Sequence, residues 1–259
     1  LNPLYNTILS IDSRGADQVE WWTSKLGRRT IYEVTGLPLH PMYGINRMLW
    51  IRQNEPEVFK ATWKWVTWHE FVLMRLGAPP ASEYSVASRL MAFDIRRKCW
   101  STSILELAGL DPQVLPPAYQ AGTLIGEVRD DLAEGLGLPR GVKIATGGFD
   151  QCCAALGAGV VRNGMASVGT GTFECLQVAF DSPKLDERLL EGGYPFDCHV
   201  APGLYICLGI NPGGGAVLRW YRDVLCEKEL LEAAERGVDP YDLILADCTD
   251  EPSPLLVLP

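Results

Sequence analysis

Residues 7–11 (Thr-Ile-Leu-Ser-Ile) form a short apolar run closed by Asp12, Ser13 and Arg14, which predicts a strand with polar groups at its carboxyl end. Residues 16–28 suit a helix that carries Trp21 and Trp22, and Pro38 and Pro41 then break the chain. Ile45, Met48, Leu49 and Ile51 predict a helix over 43–53. Residues 57–63 read as a turn region, and 66–76 as a helix closed by Gly77, Pro79 and Pro80. Residues 82–94 are polar at first and then alternate. Residues 100–108 suit a helix with Ser101 or Ser103 as its cap. A strand or extended arm follows at 122–128, then a helix over 130–136 ending at Gly137.

The second half has a different texture. Strands are predicted at 142–145, 165–168, 173–178 and 204–210, with a small-residue helix at 151–159. Helices follow at 216–224 and 227–235. Strands alternating with helices across glycine-rich turns argue for an α/β fold. A boundary between two lobes falls near 161–164. Position 1 is Leu and the last residues, 255–259, are an apolar run, so the expectation is that flanking sequence is missing at both ends.

Composition narrows the classes. Of 259 residues, 47% are apolar and 21% charged, enough for a substantial core, which excludes disorder as a class. The formal charge of -9 disfavours duplex DNA as a partner, although backbone N–H groups can still supply a local field for a small anion. No apolar run reaches the length of a membrane span, and no secretory leader is present in these residues. The eight cysteines are scattered without CxxC and only three histidines occur, which argues against a metal site and a disulfide scaffold. Reduced thiols and a cytoplasmic location are expected. Seven of the eight tryptophans lie in the first 100 residues, as a core between helices or as a sugar-stacking platform.

The strongest local signal is Gly147-Gly148-Phe149-Asp150-Gln151. A strand delivers two glycines and a carboxylate to the mouth of a helix, where ligands of α/β sheets bind. Asp150 could take a proton from a substrate hydroxyl, or it could cap the helix. Gly169-Thr170-Gly171-Thr172, between two apolar strands, is either a nest for phosphoryl oxygens or a tight hairpin. Gly213, Gly214 and Gly215 open a helix, offering N–H groups to an anion or allowing close packing. Asp12 and Arg14 either pair with each other or line a cleft wall. Ser82, Glu83, Tyr84, Ser85, Ser88 and Arg89 either line a polyhydroxyl pocket or form an exposed loop. Cys152 and Cys153 read as buried small hydrophobes rather than nucleophiles. The dinucleotide fingerprint, the P-loop and GxSxG are absent.

In order and spacing these segments resemble the FGGY carbohydrate kinases, which include xylulokinase and glycerol kinase. The resemblance rests on Ile8-Leu9-Ser10-Ile11-Asp12-Ser13-Arg14, Val34-Thr35-Gly36-Leu37, and the stretches 64–76 and 82–94. It is sharpest over Gly147-Gly148-Phe149-Asp150-Gln151, Gly157-Ala158-Gly159, Gly164-Met165 and Ser167-Val168-Gly169-Thr170-Gly171-Thr172. Asp239-Pro240-Tyr241-Asp242 and the residues after it complete the series.

The resemblance implies an α/β fold of the actin and hexokinase (ribonuclease H-like) type, two-lobed and truncated at both ends. Residues 1–163 would be the later part of the N-terminal, sugar-binding lobe, and 164–259 the start of the ATP-binding lobe. ATP and Mg2+ would be the cofactors and a sugar or polyol the substrate, with a lean toward a ketopentose such as xylulose. Asp150 would be the base. Gly169, Thr170, Gly171 and Thr172, with Gly213 and Gly214, would meet the nucleotide. Asp12, Arg14, Tyr43, Glu83 and Gln151 would line the sugar site with Asp150, and no protein ligand to a metal is assigned.

Ser10, Met42 and Phe149 depart from residues common in the family, and Met42 weakens a glycerol assignment. The family's opening D-x-G-T turn and its downstream adenosine motif are not in these residues, so these residues alone are expected not to turn over ATP. Neither nucleic acid nor membrane is an expected partner, and a homodimer is one open arrangement. The competing classes are a catalytically silent sugar-binding module of the same fold and an unrelated α/β hydrolase.

Overall fold

The structure is a computed structural model; it describes residues 1–171, 173–211, 213–246, 248–249, 251 and 254. The chain divides into two compact units, Leu1–Ser167 with Gln177–Leu208, and Val168–Leu176 with Gly209–Pro259.

The first unit opens without the expected strand. Residues 7–11 pair with no described strand, and Leu9 and Ile11 are exposed. An apolar run becomes a strand only when a partner takes up its backbone groups. Helix α1 (Ala16–Lys25) buries Gln18 and Trp22 one turn apart. Trp22 donates its indole N–H to Asn46 Oδ1 at 2.9 Å, which satisfies both polar groups in the core. Gly27, at φ 78, separates α1 from α2 (Arg28–Thr35), so the single helix expected over 16–28 stops short. Gly36 ends α2 in the left-handed conformation, and a Cβ there would sit 2.3 Å from the Phe196 carbonyl oxygen.

Helices α3 (Gly44–Asn54), α4 (Pro56–Ala61) and α5 (Trp68–Leu76) follow. The expected turn at 57–63 is instead largely α4, because Pro56 takes the first helical turn, where its missing N–H costs nothing. α5 starts on a Thr67/Glu70 capping box and ends at Gly77. Then come β1 (Ser82–Glu83), α6 (Tyr84–Ser88), β2 (Phe93–Asp94), β3 (Cys99–Trp100) and α7 (Thr102–Ala108), which Ser101 caps. β4 (Ala118–Tyr119) pairs in parallel with β1. β5 (Leu124–Glu127) pairs antiparallel with β6 (Lys143–Ala145), with α8 (Asp130–Gly135) between them.

The main core of this unit gathers Trp22, Ile31, Leu37, Ile45, Leu49, Met91 and Leu105. A second cluster joins Tyr32, Phe93, Ile95, Phe196 and Cys198. The tryptophan-rich core is only partly realised. Trp22 is fully buried, whereas Trp63 and Trp68 are exposed on the surface. Cys99, Cys152, Cys153, Cys198, Cys207, Cys226 and Cys248 are free thiols.

The remaining elements are α9 (Asp150–Gly157), β7 (Ala166–Thr170), β8 (Glu174–Phe180), α10 (Glu187–Glu191), β9 (Phe196–Cys198) and β10 (Tyr205–Asn211). β7, β8, β10 and β9 form one sheet in that order, with β10 and β9 antiparallel. In the second unit α11 (Gly215–Leu225), α12 (Glu227–Arg236) and α13 (Pro240–Ala246) pack on one another. Cys226 and Ala233 are buried there, and Arg222 lies 5.2 Å from the Tyr241 ring centroid.

Candidate active site

The Gly147–Gln151 turn joins β6 to α9 in the first unit. Phe149 is the N-cap of α9 and Asp150 its first residue. Asp150 is exposed, and its Oδ1 accepts the Gln151 N–H at 2.8 Å. Asp150 is therefore not the cap residue, and its carboxylate is open to a substrate hydroxyl. The two glycines have distinct reasons. A Cβ on Gly148 would lie 2.2 Å from Val200 Cγ1, so any larger residue there requires the Val200 side chain to move. A Cβ on Gly147 would meet His69 Cε1 at 3.4 Å. His69 Nε2 is buried without a hydrogen-bond partner, and burial lowers its pKa.

The polar stretch 82–89 is not an exposed loop. Ser82, Glu83, Ser85 and Ser88 are buried. Glu83 caps α6, accepting the Ser85 N–H at 2.7 Å and the Val86 N–H at 3.3 Å. The Ser85 hydroxyl donates to Glu83 Oε2, and its oxygen accepts the Phe149 N–H at 2.9 Å. Burial pushes the Glu83 carboxyl up to about 7, while the Ser85 and Val86 hydrogen bonds pull the other way. Glu83 Oε1 has no hydrogen-bond partner.

One turn beyond Ser85, Arg89 donates to Asp197 Oδ2 at 3.0 Å. Its side chain is 15% exposed and that of Asp197 is 0% exposed, so this ion pair is almost wholly removed from water. Burial raises the Asp197 carboxyl, Arg89 opposes that shift, and Asp197 Oδ1 is left without a partner. The Arg89 guanidinium carbon lies 5.2 Å from the Tyr43 ring centroid and 5.2 Å from that of Phe149. Burial also pushes the Tyr43 phenol up to about 12.

The structure thus brings Tyr43, Glu83 and the Asp150 turn together, through Ser85 and Arg89. Gln151 joins a separate chain of bonds. Its side-chain oxygen accepts from Gln177 at 2.5 Å, and Gln177 accepts from the Ser167 hydroxyl at 2.7 Å. Asp12 and Arg14 pair with each other at 2.8 Å in a shallow depression also lined by Tyr5 and Trp50. Arg14 lies over the Trp50 ring and holds the Asp12 carboxyl down at about 2. Their bonds do not reach the Arg89 centre. Cys152 is buried and burial raises its thiol far above the ordinary value, so it is no nucleophile at neutral pH. Cys153, expected to be buried, is exposed on α9.

Asp197 is the residue that the sequence reading missed. It lies on the three-residue strand β9, far along the chain from Arg89. Its one signal is an acid inside the short apolar run 194–198.

The glycine-rich turns of the second unit lie together. Gly169 and Thr170 belong to β7 rather than to the turn, and Thr172 lies outside the described residues. The Gly171 N–H bonds the Phe173 carbonyl at 2.9 Å, and the Gly215 N–H bonds the Gly171 carbonyl at 2.6 Å. The Gly213 N–H bonds Asn211 Oδ1 at 3.0 Å. A Cβ on Gly214 would fall within 2.9 Å of the Gly171 and Phe173 backbone. The Val217 N–H bonds the Gly214 carbonyl at 3.0 Å, so the first turn of α11 also uses amides locally.

A model of the N-terminal domain of the FGGY family of carbohydrate kinases matches residues 1–157. This chain belongs to the FGGY family of carbohydrate kinases. It is 26% identical over 242 residues to a gluconokinase of Bacillus licheniformis, covering 93% of this chain and 46% of that protein. It is 31% identical over 214 residues to an autoinducer-2 kinase of Klebsiella pneumoniae, covering 83% of this chain and 40% of that protein. A ligand-bound xylulose kinase from Lactobacillus acidophilus superposes with a TM-score of 0.81 at 23% identity, over 93% of this chain and 46% of that one. The chain therefore spans less than half the length of these relatives. The fold is the two-lobed α/β type of the actin/hexokinase class, as in those kinases.

Among the described residues no group of three or more His, Cys, Asp or Glu side chains is placed to hold a metal ion. No described helix is long and apolar enough to cross a membrane.

Proposed function

We propose that the full-length protein is a cytoplasmic carbohydrate kinase that moves the γ-phosphoryl group of ATP to a hydroxyl of a sugar or polyol. Residues 1–163 belong to the sugar-binding lobe and 164–259 to the start of the nucleotide-binding lobe. The observation that carries this reading is an exposed carboxylate, Asp150, at the head of α9, on a turn seated against buried polar side chains. Asp150 accepts the proton of the attacking hydroxyl. The oxygen bonds phosphorus as the bond to the β-phosphate oxygen breaks, and ADP leaves. Most of the rate then comes from positioning and electrostatics, with the base adding its share. Gly169–Gly171 and Gly213–Gly214 are assigned to the nucleotide by their place in the family order, although the Gly171 and Gly213 amides are bonded within the protein, with Thr172 among them by sequence only. Tyr43, Glu83 and Gln151 shape the sugar pocket. Asp12 and Arg14 are proposed only as cleft-wall residues, through their mutual pair.

The relatives' names give three different acceptors, so the acceptor is the open variable. Met42 weakens a glycerol assignment, and the reading leans toward a ketopentose such as xylulose. The test is ADP release by the full-length protein with Mg-ATP against D-xylulose, L-ribulose, L-fuculose, glycerol, erythritol, gluconate and autoinducer-2. Release stimulated by a ketopentose supports the reading in full, and stimulation by another acceptor corrects the substrate. Sugar binding with no ADP release for any of them would make the protein a silent binding module.

A further inference from the structure

We infer that α6 is the element that positions Asp150, gripping Phe149 with two side chains one helical turn apart: Ser85 by its backbone N–H and Arg89 by its ring. The inference rests on the reading of Asp150 as the base. Ser85 lies in α6 and Arg89, four residues on, is its C-cap residue in the right-handed helical conformation, so both come to one side of the turn. Ser85 Oγ takes the Phe149 N–H at 2.9 Å, and the Arg89 guanidinium lies 5.2 Å from the Phe149 ring centroid.

Both gripping groups are themselves fixed. The Ser85 hydroxyl is spent on Glu83, which leaves its oxygen to accept from Phe149. Arg89 is anchored by the fully buried Asp197 and lies beside the Tyr43 ring. Phe149 is the residue immediately before Asp150, and as N-cap it sets the direction in which α9 starts. A base displaced by about 1 Å loses on the order of a hundredfold in rate, so holding this residue has catalytic weight without touching substrate. Ser85 and Arg89 are thus positioning residues. A small residue at 149 would leave Arg89 only the Tyr43 ring and no hold on the turn.

The test uses the full-length protein with whichever acceptor gives the greatest ADP release. Ser85→Ala, Phe149→Leu, Phe149→Tyr and Arg89→Lys are compared with Asp150→Asn. Arg89→Lys keeps a cation beside Asp197 and Phe149→Leu keeps most of the volume, so both variants are expected to fold. The expectation is that Ser85→Ala, Phe149→Leu and Arg89→Lys each lower kcat by about tenfold or more, with KM for ATP unchanged. Phe149→Tyr keeps a ring and should hold kcat near the parent value. The Phe149→Leu/Arg89→Lys pair should be no worse than the poorer single variant, because both remove one stack. Amide exchange over 147–151 should quicken in all three lowered variants and not in Phe149→Tyr.

Unchanged kcat in Ser85→Ala and Phe149→Leu, with Asp150→Asn inactive, overturns the grip while leaving Asp150 as the base. So does an additive double variant. Full activity in Asp150→Asn overturns the reading on which the grip rests.

Discussion

Two glycine-rich turns each lead a strand into a helix, and they are held by different means. The turn between β6 and α9 rests on side chains: Ser85 takes its N–H, Arg89 lies against its ring, and Val200 crowds Gly148. The turn between β10 and α11 is tied through its own amides, Gly213 N–H on Asn211 Oδ1 and Gly215 N–H on the Gly171 carbonyl, and the Gly214 Cα faces backbone rather than a side chain. The first arrangement leaves a carboxylate exposed on a scaffold that can be tuned one side chain at a time. The second leaves little to tune. A pair of glycines in a sequence does not say which kind of turn it makes.

The contrast can be broken by adding one carbon to each turn. Gly214→Ala should be the more damaging. Its Cβ meets the backbone of Gly171, Phe173 and Glu174 within 2.9 Å, and no side chain can be trimmed to make room. A loss toward the upper end of about 1–3 kcal/mol is expected in denaturant unfolding of the full-length protein. No second-site truncation should restore it.

Gly148→Ala meets Val200 Cγ1 at 2.2 Å, and a side chain can turn or be cut back. A loss of about 1–2 kcal/mol is expected. Val200→Ala in the same chain should recover much of it. Equal behaviour of the two glycines toward second-site truncation would erase the distinction.

Glu83 sharpens the contrast through pH. Its folded carboxyl stands at about 7 against an ordinary value of 4.5. The folded state therefore holds the proton more tightly than the unfolded chain. Stability falls as pH rises from 4.5 to about 7 and levels off above that. Asp197, also raised by burial, adds a fall of the same sign. Glu83→Gln should flatten part of this fall, so the melting temperatures at pH 5 and pH 8 move closer together. An unaltered pH slope would mean that Glu83 is ionised in the fold at both pH values.

The smallest effect belongs to Asp12→Asn. The Asp12–Arg14 pair is near the surface, where such pairs are worth little and salt weakens them. Melting should shift by no more than a degree or two. A large shift would show that the pair holds more than its own loop.

Local chemistry was legible in the sequence wherever a residue acts on its immediate neighbours. Gly77 ends α5, Ser101 caps α7, and Gly147-Gly148-Phe149-Asp150 announces a turn into a helix. Long-range partners were not. Residues 7–11 have the composition of a strand, but strand formation depends on a partner that apolarity does not name. α4 hides behind Pro56, which reads as a breaker unless it is placed in the first turn. Arg89 was visible in a polar stretch, yet its role needs α6 to be a helix and needs Asp197 on β9. Neither follows from the spacing of apolar residues, because α6 is one short turn and β9 only three residues.

The central claim is that Asp150 is the base, and the most direct measurement is kcat and KM for the preferred acceptor in Asp150→Asn beside the parent, at saturating Mg-ATP. The account predicts that kcat falls by about 10²–10⁴-fold while KM for the acceptor stays within a few-fold. A kcat within a few-fold of the parent would contradict it.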